Sequence, residues 1–360
     1  MAEVTQEVLL DALAKVQDPV LQKDLVSANL VRDIVIDGDT VKLTLILITH
    51  VHASKDSLEK AVLDAVIAVD GVETLELDVQ VEVPSDGKTR GGGSAQVRNS
   101  IAVASGKGGV GKSTVAVNLA VSLAQAGAKV GLLDADVYGP NIPMMMGVER
   151  LPAGPGPEGQ LTPAEAYGVK LISMGFLVKR EQPMIWRGPM LHTAIRQFLE
   201  DVEWGDLDYL IIDLPPGTGD VQLSLAQSAP VTGGVIVTLP QEVSLEDARR
   251  GLEMFNQLKV DILGIVENMS YLELPGGEKM DVFGSGGGER MAGETNVDFL
   301  GVIPLDPAVR EGGDTGRPIV ISHPEAPVAH ALKEITVQVA QKAAVSAIAQ
   351  QAQTIPITIK

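Results

Sequence analysis

Residues 101–114 read Ile101-Ala102-Val103-Ala104-Ser105-Gly106-Lys107-Gly108-Gly109-Val110-Gly111-Lys112-Ser113-Thr114, and the fold is decided here. Four apolar residues without alternation predict a strand buried on both faces. A G-x-x-x-x-G-K-S spacing follows, and Val115, Leu119 and Leu123 then recur at helical intervals, so the order is strand, glycine-rich loop, helix. Glycines without Cβ let successive backbone N–H groups close on phosphate oxygens, and a helix N-terminus adds a positive dipole. Lys112 is placed for the β- and γ-phosphates of a nucleotide, and the Ser113 hydroxyl for Mg2+. The run Gly106, Lys107, Gly108, Gly109, Val110, Gly111, Lys112, Ser113 and Thr114 is thus the expected nucleotide-binding loop. The competing reading is a turn that merely connects two elements. Lys107 has two readings: a solvated lysine, or a cation aimed at phosphate, because glycines flank it.

The same texture extends outward. Val130–Leu133, Tyr209–Ile212, Gly234–Thr238 and Ile262–Val266 are further short apolar runs separated by helical patterns, which predicts a doubly wound, mostly parallel α/β sheet. Such sheets place ligands at the carboxyl ends of their strands, and two of these ends are acidic. Leu132-Leu133-Asp134-Ala135-Asp136 sets two acids two residues apart, and Ile211-Ile212-Asp213 leads into Leu214-Pro215-Pro216-Gly217-Thr218-Gly219-Asp220. Each acid alone reads equally as a helix cap. Beside a phosphate loop they acquire roles: Asp213 anchors Mg2+ through water, Asp136 orients the attacking water, and the Gly217 amide senses the γ-phosphate.

Residues 1–84 differ in texture. Val8, Leu9, Leu13 and Val16 have helical spacing, Val31–Ile36 and Val41–Ile48 form a hairpin through Asp37-Gly38-Asp39, a second helix carries Leu58, Val62 and Val66, and Val72–Val83 alternates as a strand. This is a small α+β domain. The stretch 85–98, with Gly91-Gly92-Gly93-Ser94, reads as a flexible linker, and 99–360 as the phosphate-loop domain. The chain of 360 residues has 28 basic and 47 acidic side chains, a net charge of -19, so nucleic acid and anionic membrane are poor partners. No cysteine occurs, which excludes disulfides and thiolate ligands from this chain and fits a cytoplasmic protein. No apolar run approaches the ~18 residues of a membrane span.

Gly106–Thr114, Asp134-Ala135-Asp136-Val137-Tyr138-Gly139-Pro140-Asn141-Ile142-Pro143, Trp186-Arg187-Gly188-Pro189-Met190, 208–220 and Glu267-Asn268-Met269-Ser270 together resemble the Mrp/ApbC-type ATPases, iron-sulfur cluster carriers of the MinD/ParA-like deviant phosphate-loop class. The resemblance covers roughly residues 99–350, and 1–84 is similar to the small domain often fused in front. It implies a homodimer enclosing two ATP molecules, with Lys107 acting on the partner's nucleotide. It implies too that Asn268 reads the adenine edge, with Pro304, Asp306 and Arg310 beside the base. Apart from the resemblance, Asn268 reads as a turn asparagine. Clients would be apo-proteins of iron-sulfur assembly, or cluster donors.

One departure stands out. Such carriers hold a C-x-x-C between the Asn268 motif and Phe283, whereas this chain has Leu272-Glu273-Leu274-Pro275-Gly276-Gly277-Glu278-Lys279-Met280, without Cys or His. A cluster bridged in that manner has no ligands here. In the small domain, Thr49-His50-Val51-His52-Ala53 offers two imidazoles, read as surface loop residues or, alternatively, as part of a metal site. Met144-Met145-Met146, with Met174, Met184 and Met190, reads as core packing, with an adaptable interface as the other reading. The alternative function is an ATP-dependent positioning switch, but the bases of the tail from Ala329 are only Lys333, Lys342 and Lys360.

Overall fold

The computed structural model describes residues 4–89, 96–137, 139–152, 160–176, 188–217, 222 and 229–354. The chain divides into two compact units, Met1–Pro84 and Ser85–Lys360.

In the first unit, helix α1 (Gln6–Leu13) starts at Thr5, whose hydroxyl accepts from the Val8 amide. Strands β1 (Val31–Asp37) and β2 (Thr40–Leu47) pair antiparallel across a turn in which Gly38 takes φ 63°. Helix α2 (Lys55–Ile67) then crosses over, so β3 (Thr74–Val81) runs parallel to β2. Leu9, Leu13, Val41, Leu43, Leu45, Leu58, Val62 and Val66 form the core. His52 corrects the surface-loop reading: its side chain is fully buried, with Nε2 3.3 Å from Asp18 Oδ2 and Nδ1 accepting from the Ser54 amide. Burial works to raise the Asp18 pKa, but His52 and the amides of Leu21 and Val20 outweigh it and hold the carboxyl below its ordinary range.

Among its described residues the second unit has nine strands: β4 (Val97–Ala104), β5 (Val130–Asp134), β6 (Ala164–Ala166), β7 (Val169–Ser173), β8 (Leu207–Asp213), β9 (Gly233–Thr238), β10 (Asp261–Glu273), β11 (Lys279–Met280) and β12 (Phe299–Leu305). Their order is β11-β10-β9-β4-β8-β5-β7-β6, with β12 also paired to β10. All pairings are parallel except the edge pairs β10–β11 and β6–β7. Its described helices include α3 (Lys112–Gln125), α4 (Ile142–Met145), α5 (Gly188–Glu200), α6 (Glu242–Gln257), α7 (Gly287–Thr295), α8 (Pro307–Asp314), α9 (Ile319–Ser322) and α10 (Pro327–Thr354). This is the expected doubly wound fold, with largely apolar, buried strands in its centre. Helix α3 is buried over 115–123 on every side, not on one face alone, because it lies between the sheet and α10.

The linker expected over 85–98 is shorter at both ends. Asp86 is buried, and its carboxylate accepts from the Thr232 hydroxyl at 2.7 Å and the Lys88 amide at 2.9 Å; the Asp86 amide donates to the Arg98 carbonyl at 3.2 Å. Strand β4 begins at Val97, four residues before its apolar run, because buried Asn99 and Ser100 continue the ladder with β8. The glycines at 91–93 lie outside the described residues. So do Tyr138, the Pro/Gly-rich residues 153–159, Met184, Trp186, Arg187, Thr218–Asp220 and Lys360. Of the other methionines, Met146 and Met174 are core residues while Met144 and Met190 are about half exposed, so neither reading covers the whole set.

Candidate functional site

The parallel register brings the acidic strand ends together: Asp213 is the partner of Asp134 on β5 and of Val103 on β4. Loop 105–111 leaves β4 directly beside them, and α3 starts at Lys112. Gly109 and Gly111 take φ 81° and 86°, a region that costs an L side chain about 1–2 kcal/mol. Gly108 and Gly109 are exposed, and an added Cβ at Gly109 would meet open space, so the loop surface is open at these residues. Gly106 packs against the backbone of Asp247 on α6, and Val110 is buried. Lys107 is partly exposed, and its carbonyl accepts from the Ser105 hydroxyl.

Lys112 is only 6% exposed, with Nζ 2.7 Å from Asp213 Oδ1, while the Ser113 hydroxyl donates to Asp213 Oδ2 at 2.6 Å. One buried carboxylate thus gathers both the cation and the hydroxyl expected to contact phosphate and metal. Burial drives the Asp213 pKa up, against the pull of Lys112 and Ser113. Asp134, next to it, is pushed up to about 8 by burial and by the Asp213 charge; the Ser173 hydroxyl and Lys112 oppose the rise. Ser173 donates to Asp134 Oδ2 at 2.7 Å, and the Asp136 amide to Oδ1 at 3.2 Å. Asp136 is buried at the same strand end, with Oδ1 accepting from the Gly139 amide. Gly217 takes φ 97°, and its amide donates to the Ser105 carbonyl, so the expected γ-phosphate sensor is engaged within the protein.

Asn268, on β10, reaches under the loop: Nδ2 donates to the Val110 carbonyl at 2.8 Å, and a Cβ on Gly111 would stand 2.1 Å from that nitrogen. Asn268 also lines a cavity of about 350 Å3 with Thr114, Met144, Pro304, Asp306 and Arg310. Asp306 caps α8, accepting from the Ala308 amide, and Arg310 pairs with Asp314. The site therefore joins Lys112, Ser113, Asp134, Asp136 and Asp213 at the strand ends, with Asn268 and Asp306 bordering an adjoining cavity. It can bind an anion at the loop and Lys112, place a hard cation beside Ser113 and the single carboxylate Asp213, and enclose a flat apolar group in the cavity.

One contributor is invisible in linear spacing: Ser173, which anchors Asp134, comes from β7. Val110 belongs to the expected loop, but the spacing gives no sign that its carbonyl accepts from Asn268. The cavity's apolar wall from Met144 and Met145 was foreshadowed only by the methionine triplet. Among the described residues no group of three or more His, Cys, Asp or Glu could hold a metal ion, so His50 and His52 do not form such a centre. Leu272–Met280 instead closes as a hairpin, with Glu273 opposite Lys279 and Gly276 and Gly277 in the turn. The Lys279 ammonium lies 4.0 Å from the centre of the Tyr271 ring.

Residues 96–340 match the family described as NUBPL iron-transfer P-loop NTPase, and residues 6–79 the iron-sulfur cluster assembly protein family. The iron-sulfur cluster carrier protein of Synechocystis sp. is 53% identical over 352 residues, covering 96% of this chain and 99% of its own. That of Deinococcus radiodurans is 44% identical, covering 98% and 99%. Among solved structures, a nucleotide-binding protein in complex with ADP from Archaeoglobus fulgidus is 41% identical, with a TM-score of 0.55 over 63% of this chain and 89% of that one. The cell division ATPase MinD of Pyrococcus furiosus is 25% identical, with a TM-score of 0.51 over 67% and 98%. A phosphate loop at a parallel strand end and similarity along nearly the whole length lead to one conclusion: the chain belongs to the iron-transfer P-loop NTPase family of iron-sulfur cluster carrier proteins.

Proposed function

We propose that the protein binds and hydrolyses ATP as a homodimer that closes on two nucleotides, and that this cycle serves the delivery of iron-sulfur clusters. The convergence of Lys112 and Ser113 on Asp213 carries the reading. Lys112 moves its charge from Asp213 to the β- and γ-phosphates, and the loop amides take the remaining oxygens. The Ser113 hydroxyl and Asp213, the latter through water, hold Mg2+, which when bound neutralises phosphate charge. Asp136 orients the attacking water, Lys107 reaches the partner's nucleotide, and the Gly217 amide exchanges the Ser105 carbonyl for a γ-phosphate oxygen.

The base enters the cavity beside Asn268. With one Nδ2 hydrogen on the Val110 carbonyl, Asn268 in this reading offers its oxygen, an acceptor, to the base. An acceptor matches the exocyclic amine of adenine and opposes the carbonyl that guanine carries at the same position. The ADP named in the Archaeoglobus fulgidus complex agrees with this choice.

The cluster is cargo, and this chain has no thiolate to hold it. In this reading the ligands come from cluster donors and apo-protein clients, while nucleotide state sets when they engage. A positioning switch is less well supported, since α10 buries Val328, Leu332, Ile335, Val339 and Ala343, and none of these is available for a membrane face. Lys107→Ala and Asp136→Ala test the shared site. Each alone should lose most turnover, and their mixture should recover part of it, because a mixed dimer holds one intact site; a mixture as inactive as its parents would refute the trans role of Lys107.

A further inference from the structure

Glu267 precedes Asn268 on β10, is fully buried, and takes no part in the chemistry above. Its carboxylate accepts from the Gly288 amide at 2.6 Å, the Gly286 amide at 3.2 Å and the Ser270 hydroxyl. These donors are not a local set. Ser270 lies where β10 runs out into the hairpin, and Gly286 and Gly288 lie where the chain returns to start α7, so a single side chain ties both ends of the 270–286 excursion. The return is close-packed: a Cβ on Gly288 would stand 2.9 Å from Glu267 Cβ, and one on Gly287 2.2 Å from the Pro240 carbonyl oxygen. A buried carboxylate at a helix N-terminus with three donors is strongly held, so the backbone at 267 has little freedom. The next residue is the one whose amide supports Val110 and borders the cavity.

We propose that Glu267 is a positioning residue for nucleotide recognition: by clamping the root of the hairpin it fixes Asn268 against the phosphate loop. This rests on the reading of Asn268 as the base contact. The loop amides and Lys112 supply affinity for phosphate whatever the base, whereas the Glu267 clamp acts on the residue that distinguishes bases. Its removal should therefore erode the preference for ATP over GTP, a quantity that a loss of global stability alone leaves unchanged.

Equilibrium binding of Mg-ATP and Mg-GTP to the full chain tests this in wild type, Glu267→Ala, Glu267→Gln, Asn268→Ala and the Glu267→Ala/Asn268→Ala double variant. Glu267→Ala should weaken ATP roughly tenfold and GTP far less, the scale expected when a charged hydrogen-bond acceptor is deleted. Glu267→Gln, whose carbonyl oxygen still accepts from the amides, should restore most of the preference. The double variant should lose no more preference than Asn268→Ala, because Glu267 acts through Asn268. Should Glu267→Ala not fold, Gly288→Ala crowds the same carboxylate without deleting it and should shift the preference in the same direction. If Asn268→Ala lowers the preference but Glu267→Ala and Gly288→Ala leave it intact, or if the double variant's losses add, the positioning role is overturned and the base contact stands. A preference untouched by Asn268→Ala would overturn the base contact itself, and this proposal with it.

Discussion

Replacing Gly111 by alanine tests how tightly the phosphate loop and β10 are built against each other. Two costs are visible. At φ 86° an alanine pays about 1–2 kcal/mol in the left-handed region. Its Cβ would also stand 2.1 Å from Asn268 Nδ2 and 3.4 Å from Cγ, so Asn268 must swing away and abandon the Val110 carbonyl. That lost bond in a buried setting costs a further ~1–3 kcal/mol. Together Gly111→Ala should destabilise the unit by roughly 2–5 kcal/mol, read by urea unfolding and as a fall of several degrees in Tm. The clash has a partner, and this makes the reasoning checkable. In an Asn268→Ala background only the backbone cost remains, so the two substitutions together should cost at least ~1 kcal/mol less than the sum of the single effects. Additivity within about 0.5 kcal/mol, or a Gly111→Ala protein as stable as wild type, would refute the close-approach argument.

Further outcomes follow from the buried charges and the absent thiols. Asp134 has its folded pKa raised to about 8, so the stability linked to its proton is complete below the unfolded value near ~3.9 and is lost as pH rises towards 8. Without nucleotide, Asp134→Asn should flatten this slope, on the order of 1 kcal/mol per pH unit, in denaturation curves between pH 5 and pH 8, and an unchanged slope would remove Asp134 as its source. His52→Ala leaves the buried Asp18 carboxylate without its imidazole and should destabilise the N-terminal unit by roughly 3 kcal/mol; a loss under ~0.5 kcal/mol would mean the pair is incidental. Anaerobic reconstitution with iron and sulfide should leave no [4Fe-4S] cluster through gel filtration, because the chain has no cysteine; a retained cluster by absorbance and metal analysis would contradict this.

The centre of the fold was legible because its strands are short, apolar on both faces and punctuated by glycine-rich or acidic ends. Lys112, Ser113, Asp136 and Asp213 stood out for that reason, and the register of β5 and β8 gathers their carboxylates. The edges were harder. Strand β12, Phe299–Leu305, carries Gly301 and Pro304, which break an apolar run, and its place is set by pairing with β10. Lys170 disguises β7, yet its ammonium extends to the Glu203 and Trp204 carbonyls while the strand stays inside the sheet. His52, Asp86 and Glu267 look like ordinary polar residues in sequence; what buries them lies 34, 146 and 21 positions away, at Asp18, Thr232 and Gly288. Partners at such separations leave no local period to read.

The most direct test of the central claim is phosphate release from Mg-ATP by wild type and Lys112→Ala, measured side by side with folding confirmed by circular dichroism. Lys112 supplies the one buried ammonium among the described residues at the strand ends, so in the proposed mechanism its loss removes the main cation for the β- and γ-phosphates. The account predicts turnover by wild type that depends on Mg2+, and release by the folded variant no faster than the uncatalysed background. Equal turnover by the two proteins would contradict the assignment of this loop as the site of ATP hydrolysis.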